Sequence, residues 1–269
     1  MKFTHLATLA ILAWSTAFPL QAADFDTAAG TALIEKNQGS LVEVRATLAV
    51  KPELIEGPPG VGDMINQQPE TKQAVQTEGV LIHGNGLVAV PLAALDPSGI
   101  MGTDGMEVET PLGKLKIGMK STITSVTIVT ADGKEFPADV IFKDAKSGLA
   151  LVKPTAPPAE PLAAVALTKN LPAPTLFSRV YAMNRLTTEF GNAPTLRVIR
   201  TGVVTPAPVP LIDIADKMVE PGSAVFDRDG RFIGIVVLPF RSKPGSMAEL
   251  RLCILPLSEI LRLGAKAML

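Results

Sequence analysis

From Gly39 onward, apolar and polar residues fall into short runs broken about every ten residues by Gly, Pro or Asp-Gly, the texture of an all-β chain. SLVEVRATLAV (residues 40–50) alternates and is rich in Val and Leu, which predicts a half-buried strand. GVLIHGNGLVAV places two apolar runs around Gly84-Asn85-Gly86, and Asn-Gly between such runs predicts a tight hairpin. Strands are expected again at TSVTIVT, at EFPADVIF after the Ala131-Asp132-Gly133 turn, and at GLALVK. RVYAMN, TLRVIRTGVV, SAVF, RFIGIVVL and LRLCIL follow in the second half. Helical spacing is confined to residues 26–38 and to SEILRLGAKAM, which Ser258 is expected to cap. Residues 51–75 and 96–122 show no periodicity and are read as exposed loops. PTAPPAEP (154–161) holds four prolines and reads as a linker, dividing the strands into two groups of about six. The pattern therefore calls for a β-sandwich or a pair of β-barrels.

The first residues differ from all of this. Lys2, an apolar run from Leu6 to Phe18, and small residues at Ala22 and Ala23 form a signal peptide, with cleavage expected after Ala22. The run is too short for a comfortable membrane span. The expected location is the periplasm or the exterior of the cell. Cleavage would remove Trp14 and His5, leaving His83 as the one imidazole.

Composition then narrows the function classes. A net charge of −1 with no run of Lys or Arg gives no footprint for nucleic acid or an anionic membrane. No second stretch of 18 apolar residues exists, so no membrane span is expected after cleavage. The lone Cys253 excludes an internal disulfide framework, and its apolar setting, LRLCILP, predicts a buried structural thiol. One Cys and one His cannot build a structural zinc site. Asp227-Arg228-Asp229-Gly230 lacks a Glu at position 12 of a calcium loop, where Leu238 stands. GPPGVG (57–62) lacks the Lys-Ser/Thr of a phosphate loop, and its prolines remove N–H donors. No cofactor and no metal are expected.

Three segments carry a resemblance: EGVLIHGNGLVAVPLAAL (78–95), VTIVTADGKEFPADVIFKDAKSGLALVK (126–153) and DIADKMVEPGSAVFDRDGRFIGIV (213–236). In order and spacing, with LRLCILPLSEILRL after them, they resemble the HtrA (Deg) branch of the trypsin-like serine proteases over roughly residues 35–266. The resemblance implies two six-stranded antiparallel β-barrels of the trypsin-like fold with a short C-terminal helix and a cleft between the barrels. It places the N-terminal barrel at residues 23–153, the linker at 154–162, and the second barrel with its helix at 163–269. No PDZ domain is expected after that helix.

Carried over residue by residue, the resemblance gives a negative result for catalysis. The histidine position falls on Ala93, the aspartate position on Gly148 and the serine position on Pro221. Acyl transfer needs a nucleophile, a base, an orienting group and backbone N–H donors for the oxyanion. In the family one such donor is the N–H of the nucleophile residue, and proline has none. Val219 also stands where the family has a glycine. The expectation is a pseudoprotease that binds a peptide or protein partner along strand edges beside the cleft, through main-chain hydrogen bonds. Two alternatives stay open. One is a peptidase with a displaced site, with Ser223 as nucleophile, or a Ser/Lys dyad built from Lys217 and Ser223 or from Lys146 and Ser147. The other is a purely structural β domain. His83, before its hairpin turn, lies some 20 Å of strand from Ala93 at ~3.3 Å per residue and cannot act as the base. Loops 51–75 and 96–122 are the candidate partner contacts.

Overall fold

The computed structural model describes residues 27–267, except 59, 101–105, 112, 169–170, 187–189, 207–208, 216–218 and 240–250. The expected signal peptide and Lys217 lie outside the described residues. A helix, α1 (Thr27–Asn37), and a 3-10 turn lead into β1 (Leu41–Glu56). Among the described residues there are thirteen antiparallel strands, β1 included, in two barrels.

The first barrel contains β1, β2 (Thr71–His83), β3 (Leu87–Pro91), β5 (Gly113–Val129), β6 (Glu135–Asp144) and β7 (Leu149–Pro154). They run in the spatial order β1-β2-β3-β7-β6-β5, and β5 returns to pair with β1, closing the sheet. Alternation in β1 sends Val42, Val44, Ala46 and Leu48 into the core, where they meet Val90, Ile128 and Val152. The predicted hairpin joins β2 to β3: Gly86 sits at φ +89°, and its N–H donates to the His83 carbonyl at 3.0 Å.

The two regions read as loops are largely regular. β1 runs through Glu56, α2 (Val61–Asn66) packs on it, and β2 already begins at Thr71. Across the second region, α3 (Leu92–Leu95) ends just before it, β4 (Met106–Thr110) pairs with the start of β5, and Lys116 of β5 lies opposite Glu56 of β1. The reason is tertiary: each insertion supplies the other's hydrogen-bonding partner. Most of these residues are solvent-facing, so neither has an apolar period to display.

The second barrel contains β8 (Arg179–Arg185), β9 (Pro194–Thr205), β10 (Leu211–Ile214), β11 (Ala224–Phe226), β12 (Phe232–Val237) and β13 (Cys253–Pro256). It closes in the order β10-β13-β12-β11-β8-β9. Val180, Ile199, Val225, Val236 and Ile254 fill it, and Cys253 is buried, as expected. The terminal helix α4 (Leu257–Ala267) starts one residue before Ser258, which therefore occupies its first turn rather than the capping position. Its Ile260 and Leu263 are buried.

A third apolar cluster ties the halves together. Leu41, Ile82, Leu149 and Leu151 of the first barrel pack with Met183, Leu211, Phe226, Phe232 and Leu255 of the second. Phe226 and Phe232 meet edge to face with ring centroids 5.8 Å apart. Each such side chain contributes about 1.5–3 kcal/mol by leaving water, so the seam between the barrels is core rather than hinge.

Candidate functional site

The seam opens on one side into a cleft of about 510 Å³. The first barrel gives it Leu41 and Glu43 from β1, Gln76, Thr77 and Glu78 from β2, Ala93 and Ala94 from α3, and Val129, Thr130 and Ala131 at the end of β5. The second barrel gives Arg185, Leu186 and Asn192 at the end of β8 and beyond, Glu220 and Pro221 before β11, and Leu238 after β12.

Two of the three positions singled out from sequence meet in this cleft. Ala93 and Pro221 line it from opposite barrels, and Gly148, which does not line it, is in contact with Leu92, next to Ala93, and with the lining residue Leu238. The Leu92 N–H donates to the Gly148 carbonyl at 2.8 Å, and Gly148 donates to the Asp144 carbonyl at 3.0 Å. Gly148 takes φ +71°, and a Cβ there would stand 2.7 Å from the carbonyl oxygen of Leu238. Backbone of the second barrel thus fills the space in which a side chain at 148 would begin.

The local chemistry of Glu220-Pro221-Gly222-Ser223 explains the conformation at the third position. The Ser223 N–H donates to the Glu220 carbonyl at 3.2 Å, with Pro221 and Gly222 as the central residues and Gly222 at φ +93°. This is the type II turn that Pro-Gly favours. A Cβ on Gly222 would lie 2.5 Å from the Glu78 carbonyl oxygen, so only glycine lets the two barrels approach here. Val219 is buried and does not adopt positive φ.

The displaced-nucleophile candidates are turned away from the cleft. Ser223 is 1% exposed, and its Oγ donates to the Glu220 carbonyl at 2.7 Å. Ser147 is fully buried, with its Oγ donating to the Asp144 carbonyl at 3.2 Å and its N–H to Asp144 Oδ2 at 3.0 Å, while Lys146 beside it is exposed. His83 is exposed at its hairpin, where Nδ1 accepts the Asn85 N–H at 3.1 Å, and it does not line the cleft.

The charged groups in the cleft were not singled out from sequence. Glu78 Oε1 accepts the backbone N–H of Arg185, tying β2 to the end of β8, while its buried Oε2 has no partner. Burial raises the Glu78 carboxyl to about 8; the Arg185 N–H opposes the rise and the nearby Glu220 carboxylate adds to it. Arg185 is held by carbonyls, Nη1 donating to Asn192 at 3.0 Å and Nη2 to Gln38 at 2.6 Å. Its Nε is buried without a partner, and burial lowers the guanidinium from its usual range. Glu220 accepts from Asn184 Nδ2 at 2.7 Å, and Glu43 pairs with Arg45 and Gln76. The only sequence signal for Glu78 was its place as the last polar residue before the buried run of β2.

Comparison with solved structures fits the fold of two barrels. A serine-to-alanine variant of the HtrA-type protease AlgW, solved with a decapeptide, superposes with a TM-score of 0.54 at 14% identity, covering 88% of this chain and 66% of that one. The fold is the trypsin-like double barrel. The chain thus spans just under two thirds of the length of that neighbour. No family model and no curated protein matches it.

Proposed function

We propose that this is an exported, catalytically inactive protein of trypsin-like fold whose inter-barrel cleft binds a peptide or a segment of a protein partner, in a regulatory or scaffold role. The observation that carries this reading is the cleft itself: a concave, mostly apolar site of 510 Å³ whose walls hold Ala93 and Pro221 at the positions the resemblance assigns to histidine and serine. Support comes also from the inward bonding of Ser223 and Ser147, whose hydroxyls donate to the carbonyls of Glu220 and Asp144. Export rests on the N-terminal sequence alone. The bound segment is held in this reading by main-chain hydrogen bonds beside the cleft, the mode that needs no triad.

Two measurements test it. Fluorophosphonate treatment of the purified protein is expected to label no serine; stoichiometric labelling would instead establish a displaced active site. Anisotropy titration with a library of extended fluorescent peptides is expected to show saturable binding that Ala93→Trp, which fills the cleft, weakens at least about tenfold. Absence of any saturable binding would leave a structural β domain.

A further inference from the structure

Taking the cleft to be a peptide site, as above, we propose that it selects segments carrying a lysine or arginine, whose cationic group bonds Glu78 Oε2 while a main-chain carbonyl of the same segment accepts from Arg185 Nε. Both of these buried protein atoms lack a partner, and both belong to residues lining one cavity. An unsatisfied buried donor or acceptor costs roughly 1–3 kcal/mol, so a ligand that satisfies both gains affinity beyond apolar contact. A basic residue in a peptide supplies the two complementary groups together.

Charge points the same way. Among the described lining residues Glu43, Glu78 and Glu220 face one cation, Arg185, whose Nη atoms are already bound to the carbonyls of Gln38 and Asn192. Glu43 is offset by Arg45, and Glu220 by Asn184 and the more distant Arg197. Among the described residues no side-chain cation is bonded to Glu78, so it is the carboxyl that an incoming cation serves. The apolar walls, with Ala94 and Pro221, suit the methylene stem of such a side chain.

The binding step balances as a proton exchange. Near neutral pH the Glu78 carboxyl, raised to about 8, is largely protonated, and arrival of a cation displaces that proton to the solvent. Arg185, Glu220 and Glu43 are the charged groups that face it from β8, from the turn before β11 and from β1.

The test uses three fluorescent pentapeptides, identical except for lysine, norleucine or glutamate at the centre, titrated into the purified full chain at pH 6, 7, 8 and 9. The lysine peptide is expected to bind at least about tenfold tighter than the norleucine peptide at pH 8, with the ratio rising from pH 6 and levelling above 8, and the glutamate peptide weakest. Calorimetry at pH 7 in two buffers of different ionisation enthalpy should show a proton released with the lysine peptide alone. Glu78→Gln brings the lysine-to-norleucine ratio to about one and removes its pH dependence; Glu78→Asp keeps part of both. If Glu78→Gln fails to fold, the pH dependence of the unaltered protein decides. Equal binding of the lysine and norleucine peptides at every pH overturns the basic-segment assignment while leaving peptide binding intact. Binding of none of the three overturns both.

Discussion

Replacing Glu78 by glutamine isolates what one buried carboxyl does to the pH dependence of folding. The group titrates near 4.5 when free, and burial in the cleft raises it to about 8. Between those values the folded protein keeps a proton that the unfolded chain has released, so stability falls as pH rises through the window. Below 4.5 the carboxyl is protonated in both states, and above 8 it is ionised in both, so the loss is confined to that interval. At about 1.4 kcal/mol per pH unit the full interval is worth up to about 5 kcal/mol, and relaxation around the ionised group should bring the observed loss to roughly 2–4. For a chain of this size each kcal/mol moves Tm by about 2–4 °C. Between pH 5 and pH 9 the native protein should therefore lose about 5–15 °C of Tm that Glu78→Gln does not lose.

The variant is a clean comparison because glutamine keeps an oxygen that can accept the Arg185 N–H. Its amide takes the place of Oε2, and any cost of leaving that amide unpaired is the same at every pH. Only the slope of the Tm difference against pH carries the result. Thermal melts followed by circular dichroism at half-unit steps from pH 5 to 9 supply it. A Tm difference between the two proteins that stays constant within about 2 °C over the whole range would refute the reasoning, because it would mean that Glu78 titrates alike in both states.

Gly148→Asp combines a residue strained at φ +71° with a Cβ 2.7 Å from the Leu238 carbonyl oxygen, and is expected to cost at least about 3 kcal/mol; a Tm shift under about 3 °C would contradict that contact. Gly222→Ala sets a Cβ 2.5 Å from the Glu78 carbonyl oxygen at φ +93°, with an expected loss of about 2–4 kcal/mol in urea denaturation. Pro221→Ser leaves the turn bond intact and should change stability by no more than about 1 kcal/mol while giving no hydrolysis of a fluorogenic casein; measurable hydrolysis in this single variant would overturn the alignment, because a base would then stand somewhere other than position 93. Phe226→Ala removes a fully buried ring packed on Phe232 and should cost about 3–5 kcal/mol, read from the denaturation midpoint.

How much of this was legible in the sequence depends on whether a residue's neighbours are near it along the chain. The hairpin at Asn85-Gly86, the strands of β3, β7 and β12, and the terminal helix are specified by local turn chemistry or by runs that are buried on both faces, and they stand where the pattern put them. The outer parts of β1 and β5 are held by pairing between segments sixty or more residues apart (Glu56 with Lys116), and the outer part of β2 by pairing with β1 (Val50 with Thr71), with side chains largely in solvent, and pattern alone reads them as loops. The cleft divides in the same way. Ala93 and Pro221 could be placed because each sits in a stretch whose strands have a recognisable order. Glu78 and Arg185 could not, because their perturbation arises only when the ends of β2 and β8 converge, and Glu220 could not, because the Pro-Gly turn brings it to the cleft only in the folded chain.

The Pro-Gly turn bears on the proposed absence of a triad structurally as well as chemically. A proline in place of a serine can be read from sequence as one missing hydroxyl and one missing N–H. In the folded chain Pro221 and Gly222 form a turn whose carbonyl acceptor, Glu220, also takes the hydroxyl of Ser223. Gly222 presses against Glu78, and Gly148 presses against Leu238, so two of the closest backbone approaches between the barrels lie within or beside the positions that a triad would occupy. Adding an aspartate at 148 would push the barrels apart at the seam that shapes the cleft. Placing the three side chains of a triad together therefore sets them against the packing that shapes the cleft, and the Ala93→His, Gly148→Asp, Pro221→Ser triple variant is expected to be both inert toward casein and less stable than Pro221→Ser alone. A triple variant as stable as the single one would show that the seam has room for the aspartate after all.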